Sequence, residues 1–233
     1  MYISMKEPGV SFDVLAKVTS PRNDTAPSFP YAVHAARCGN CRYFKKGKCT
    51  LKRCCCMRER VLAHSCSIGE ILNDCFSDVK DGAFHYRLRI AVERAVTEKS
   101  VFLDKSHRKR FMEGVKMIRR ENNRIVAQIY VLSASEALWK AALPHIGKDS
   151  IGYMSIRLDS DAQKNCDLFD LAFFFAHGWS YPNLKDLADD EAVDFDTFRL
   201  VCMMLTLSRY GYETVRIAER CEKYRNYQKG KRR

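Results

Sequence analysis

The sequence predicts a mainly α protein, with a small cysteine-rich module near the N-terminus followed by an irregular bundle of six to seven helices. Three observations predict it. Six of the eleven cysteines fall between Cys38 and Cys56. Beyond residue 66, apolar residues recur at helical spacing, and most such stretches open on a residue suited to capping. Only residues 151–158 have β character, and that stretch is short enough to read as a connector.

Taken in order, residues 1–36 carry Pro8, Pro21, Pro27 and Pro30 among Ser, Thr, Asn and Asp, which predicts an extended or flexible arm. Residues 37–66 form the cysteine-rich module, residues 67–226 the bundle, and residues 227–233 a basic tail. Ser67 and Glu70 make a capping box, and Ile68, Ile71, Leu72, Cys75 and Phe76 then line one face. Phe84, Leu88, Ala91, Val92 and Ala95 mark a second helix. Asp104 caps a third, with Phe111, Val115 and Ile118 inward. Residues 125–132 are apolar nearly all round, which places them at the centre. Ser133 and Glu136 read as another capping box, opening a helix with Leu138 and Trp139 that Pro144 stops. A helix from about Ala162 buries Leu168, Leu171, Ala172 and Phe175 and ends near Gly178. Asp194 caps the next, which carries Phe198, Cys202 and Leu205 to Gly211. A last helix carries Val215, Ala218 and Cys221 into the tail.

Composition is that of a folded chain, with 46% hydrophobic and 11% aromatic residues in 233. No run approaches the roughly 18 apolar residues of a membrane span, and the start lacks an apolar signal segment. The expectation is therefore a cytoplasmic protein without a membrane partner, whose thiols stay reduced. Net charge is +12, and it is unevenly distributed. Residues 37–60 hold nine Lys/Arg against one Glu, while residues 105–124 and 216–233 each hold eight against two acids. Residues 159–196 reverse the sign, with ten acids against two Lys. Three basic segments point to acidic partners such as nucleic acid.

The run CGNCRYFKKGKCTLKRCCC is too short and polar to bury a core, so metal binding would supply its folding energy. A Cys-x-x-Cys pair brings two thiolates to one ion, and further cysteines beyond Gly47 complete a tetrahedron. That makes the module zinc-binding, with Cys38, Cys41 and Cys49 as ligands and Cys54 as the fourth. Cys55, Cys56 and Cys66 are alternates, and His64 and Cys75 are reserves. An iron–sulfur cluster takes the same ligands, and a redox Cys-x-x-Cys would need a βαβ setting that this sequence lacks. Around the cysteines, Arg42, Lys45, Lys46, Lys48, Lys52 and Arg53 can meet phosphates, and Tyr43 can stack on a base or pack over the metal. Arg108, Lys109, Arg119 and Arg120 form a second basic patch on the third helix and beyond it.

The run from Cys38 through CCCMRERV and SIGEILND resembles small cysteine-rich accessory proteins carried by bacterial conjugative and integrative mobile elements. The segments FLDKSHRKRF, IVAQIYVLSASEALW and FRLVCMMLTLSRYGYE resemble a helical domain-of-unknown-function family from such elements. Together the two resemblances span roughly residues 38–212 and imply a mobile genetic element accessory protein in a bacterial host cell. They bring no catalytic residue with them.

No catalytic pattern emerges from the residues either. There is no His-Glu-x-x-His pair, no nucleophile elbow and no phosphate-binding glycine loop. Asp186, Asp189, Asp190, Glu191, Asp194 and Asp196 read either as a divalent-metal site for nuclease chemistry or as a solvated loop and helix start. His177 reads as a helix-end histidine. The expected function is non-catalytic, zinc-dependent binding of nucleic acid, DNA or RNA. The alternative partner is a host nucleoprotein complex, which the protein would inhibit in the manner of an anti-CRISPR by occupying a protein face or a guide RNA. A metal-dependent nuclease is the third reading.

Overall fold

A computed structural model describes residues 44–45, 48–49, 57–64, 66–98, 100–158, 163–178 and 182–219. Those residues are mainly helical. Strands β1 (Phe44–Lys45) and β2 (Lys48–Cys49) pair antiparallel. Nine α-helices follow: α1 (Met57–Ala63), α2 (Ile68–Cys75), α3 (Gly82–Glu98), α4 (Lys105–Met117), α5 (Asn123–Leu132), α6 (Glu136–Ala142), α7 (Gln163–His177), α8 (Leu184–Ala188) and α9 (Phe195–Tyr210). Residues 213–219 are helical as well. Cys221 and the 227–233 tail lie outside the described residues.

Helix α5 is the axis of the bundle. Every residue from Ile125 to Leu132 is buried, including Gln128, whose Oε1 accepts from the hydroxyl of Tyr153 at 3.0 Å. Helices α9 and α7 pack along it, and α4 and α6 close its remaining sides. Helices α2 and α3 form a second layer against α9, and the short α8 lies on α3. The caps explain where the helices begin. Ser67 and Glu70 form the capping box, while Asp104 and Asp194 accept from the first free amides of α4 and α9. The connector carries a bridge between Ile146 and Ile151 and one 3-10 turn (Tyr153–Ser155), in place of a strand.

The structure corrects several expectations. Ser133 does not open α6. It continues α5 in helical geometry as its C-cap, and its hydroxyl donates to the carbonyl of Tyr130 at 3.0 Å. The N-cap is Ser135, whose backbone is extended, and Glu136 as the first helical residue pairs forward with Lys140. Val92 and Phe175 are only half-buried, and the guanidinium of Arg124 lies over the Phe175 ring. Two helices were unexpected. Helix α1 falls within the range read as cysteine module, yet Met57 and Val61 are buried in the same core as the bundle. Helix α8 was hidden in the acidic segment.

Cys75 is core rather than a reserve ligand. It is 1% exposed between α2 and α9, and burial pushes its thiol up to about 11. Cys202 beside it is raised for the same reason.

His107 occupies the first turn of α4 with no exposure. Its Nδ1 accepts from the amide of Leu103 at 3.2 Å, and its Nε2 donates to the carbonyl of Tyr130 at 2.8 Å. Both bonds suit the neutral ring, and burial lowers its pKa from 6.5 to about 4. Above pH 6.5 this costs nothing. As pH falls from 6.5 towards 4 the unfolded chain takes up a proton that the folded chain refuses, so stability is lost by about 3 kcal/mol. Urea unfolding should therefore show the gap between parent and His107→Gln narrowing from pH 7 to pH 4.5. A constant gap would mean that the ring titrates normally.

Candidate functional site

The described part of the cysteine run is the hairpin, in which Phe44 pairs with Cys49 and Lys45 with Lys48. Two residues, Lys46 and Gly47, separate the strands, so the chain reverses within the run as a metal knuckle requires. Cys38, Cys41, Cys54, Cys55 and Cys56 lie outside the described residues, as do Arg42, Tyr43, Lys46, Lys52 and Arg53. Among the described residues no three His, Cys, Asp or Glu side chains gather as a metal cluster.

Helix α1 joins this run to the bundle. Arg60 is buried and donates to Glu70 at 3.0 Å. The helix ends at His64, which adopts a left-handed backbone with φ 56°. His64 Nε2 meets Glu213 Oε2, from the start of the last helical stretch. Its Nδ1 is buried and has no hydrogen-bond partner among the described residues. Cys66 is half-buried against the core two residues on.

The second basic patch is built by α4. His107, Phe111, Gly114 and Val115 face inward, and an added Cβ at Gly114 would come within 2.6 Å of Trp139. That close approach fixes the helix's rotation. Lys105, Arg108, Lys109 and Lys116 then fall at i, i+3, i+4 and i+11, on one exposed face. Among the described residues, no carboxylate pairs with Lys105, Lys109 or Lys116. Arg108 pairs with Glu219 at 2.8 Å and Arg119 with Asp149 at 3.3 Å, but these side chains are half exposed and such pairs are weak. Arg120 and Arg216 both lie over Tyr212, at 5.3 and 5.6 Å from the ring centroid.

Two cations of the same segment do other work. Arg110 donates to the carbonyls of Ser133 and Ala134 at the end of α5, and Arg124 to those of Phe175 and Ala176 at the end of α7. Both sit at the negative ends of helices. Sequence reasoning named Arg108, Lys109, Arg119 and Arg120 but missed Lys105, Lys116 and Arg216. The helical spacing from Lys105 to Lys116 was the available signal for two of them.

The acidic segment is organised by caps. Asp186 accepts from the amide of Asn183, Asp189 from that of Glu191, and Asp194 from those of Asp196 and Thr197. Asp196 faces Arg199 at 3.5 Å and Arg94 at 3.8 Å. Below it Arg87, 6% exposed, donates to the carbonyls of Leu187 at 2.8 Å, Asp189 at 2.7 Å and Val193. The carboxylates of Asp186, Asp189, Asp194 and Asp196 thus serve local backbone amides and arginines, at a loop and helix starts. His177 donates from Nδ1 to the carbonyl of Phe173 at 2.7 Å, as a helix-end histidine does. Trp179 and Tyr181 lie outside the described residues.

Among the described residues no helix is long and apolar enough to cross a membrane. No protein-family model, curated protein or solved structure matches the chain.

Proposed function

We propose that this chain is a non-catalytic, zinc-binding accessory protein of a mobile genetic element that acts by binding nucleic acid through basic faces. The observation that carries the reading is the stripe Lys105, Lys109 and Lys116 with Arg108, exposed along one face of α4, where among the described residues only Arg108 has a carboxylate partner. Cations at one-turn spacing along a rigid helix suit a phosphate backbone, because each neutralised phosphate releases counterions. Tyr212 between Arg120 and Arg216 holds two guanidinium groups beside that face, of which Arg216 also pairs with Glu213 at 3.0 Å.

Zinc enters through Cys38, Cys41 and Cys49, with one of Cys54, Cys55 or Cys56. The hairpin that returns the chain to Cys49 fits a tetrahedral thiolate site, and the surrounding cations favour thiolates. The metal supplies folding energy to a segment that cannot bury a core of its own.

The test is a salt series of zinc-loaded protein on single-stranded DNA, duplex DNA and structured RNA. Binding should persist near physiological salt on at least one of them, with a steep log–log slope. The triple variant Lys105→Glu/Lys109→Glu/Lys116→Glu should lower that slope by about 3 and weaken binding across sequences. Failure on all three nucleic acids would redirect the search to a protein partner in a host nucleoprotein complex.

A further inference from the structure

We infer that the partner of the α4 face is duplex DNA, with the helix laid across the major groove and its cations on both backbones; this rests on the nucleic-acid reading above. Three observations carry it. The first is the grouping of the charges. Lys105, Arg108 and Lys109 are exposed at the start of α4, and Lys116 and Arg120 at and just past its end. Arg120 is held there, its Nε donating to the carbonyl of Val115 at 3.5 Å and its guanidinium lying over the Tyr212 ring. Lys109 and Lys116 are seven positions apart, a rise of about 10.5 Å along the helix. The major groove of B-form DNA is about 12 Å wide, a difference that flexible lysine side chains close. The two groups therefore match the two edges of that groove.

The second observation is what stands between them. Met112 is half-buried, its sulfur accepting from the Tyr212 hydroxyl at 3.5 Å, and Glu113 is exposed. A single backbone followed along the helix would set the Glu113 carboxylate against phosphates, which repel it. Across a groove the same carboxylate stands over base edges, away from both backbones, where the amino group of cytosine is a donor.

The third is the state of the aromatic rings. A single-strand site adds exposed aromatic side chains on which bases stack. Tyr212, beside this face, is 8% exposed, and Phe111, Arg120 and Arg216 lie against its ring. Among the described residues the exposed Phe, Tyr or Trp is Tyr86, which belongs to α3. The face thus offers phosphate contacts without a stacking platform among the described residues. Duplex RNA is set apart by shape, because its A-form major groove is deep and narrow and its edges do not meet cations at this separation.

The experiment takes the zinc-loaded full chain to duplex DNA, single-stranded DNA and duplex RNA of one length and sequence. Duplex DNA should bind about tenfold tighter than either of the others. Methyl green, which occupies the major groove, should displace the protein from duplex DNA, and netropsin, which occupies the minor groove, should not. Reversing either end, as Lys105→Glu/Lys109→Glu or as Lys116→Glu, should bring duplex binding down towards the single-strand level, and these exposed lysines can change without disturbing the core. Equal or tighter binding to single-stranded DNA or duplex RNA, or displacement by netropsin alone, would overturn this inference and leave the nucleic-acid reading standing. Undiminished duplex binding by both variants would overturn it as well. Binding to none of the three near physiological salt would overturn both.

Discussion

Replacing Arg87 with alanine is expected to destabilise the fold by about 4 kcal/mol, measured by urea unfolding at neutral pH. The guanidinium is buried and donates to three carbonyls, those of Leu187, Asp189 and Val193, while stacking at 4.6 Å on the Phe198 ring. Alanine leaves those acceptors facing a cavity, and a buried acceptor without a donor costs about 1–3 kcal/mol. Two of the carbonyls belong to the end of α8, and the third immediately precedes Asp194, the cap of α9. Losing Arg87 therefore loosens the acidic loop and the start of α9 together. Arg87→Lys should recover less than half, because an ammonium lacks the planar fork that spans three acceptors. A loss below about 1 kcal/mol for Arg87→Ala would show that solvent replaces the clamp.

Gly211→Ala should cost about as much, near 4 kcal/mol by the same measurement. Gly211 ends α9 with φ 77° and ψ −170°, a region that essentially only glycine occupies. Its amide donates to the carbonyl of Leu207 at 2.7 Å, and its carbonyl accepts from Thr214 at 3.2 Å, so one residue closes α9 and opens the next stretch. An added Cβ would also stand 2.4 Å from Oδ1 of Asn123. The two costs are separable. Adding Asn123→Ala should relieve the clash but not the backbone strain, restoring about half of the loss. Full restoration by the second substitution would mean that the backbone penalty is small.

What was legible in the sequence was local. Ser67 with Glu70, Asp104 and Asp194 could be read as caps because each acts within three residues. The all-apolar run of α5 announced its own burial. Ser133 misled because Ser135, two positions on, offered the same chemistry, and only the extended backbone at Ser135 decides between them. Helix α1 was masked by the adjoining cysteines, and α8 by the acids that surround the capping pair Asn183 and Asp186. Among the cations, sequence alone does not separate Arg87, Arg110 and Arg124, which hold carbonyls, from Lys105 and Lys109, which face outward. That distinction depends on partners up to about a hundred residues away. The same holds for His64, whose ring is set by Glu213.

The placement of α5 has a consequence for how the chain is made. Its eight consecutive buried residues find their largest partner in α9, which begins 63 positions after Leu132. During synthesis α5 leaves the ribosome with α4 and α6 for company, but the surface that α9 will cover stays open until the acidic segment and most of α9 have emerged. Late-forming, non-local contacts of this kind slow folding and leave apolar surface available to chaperones in the meantime. A nascent chain arrested before residue 195 would therefore present that surface permanently.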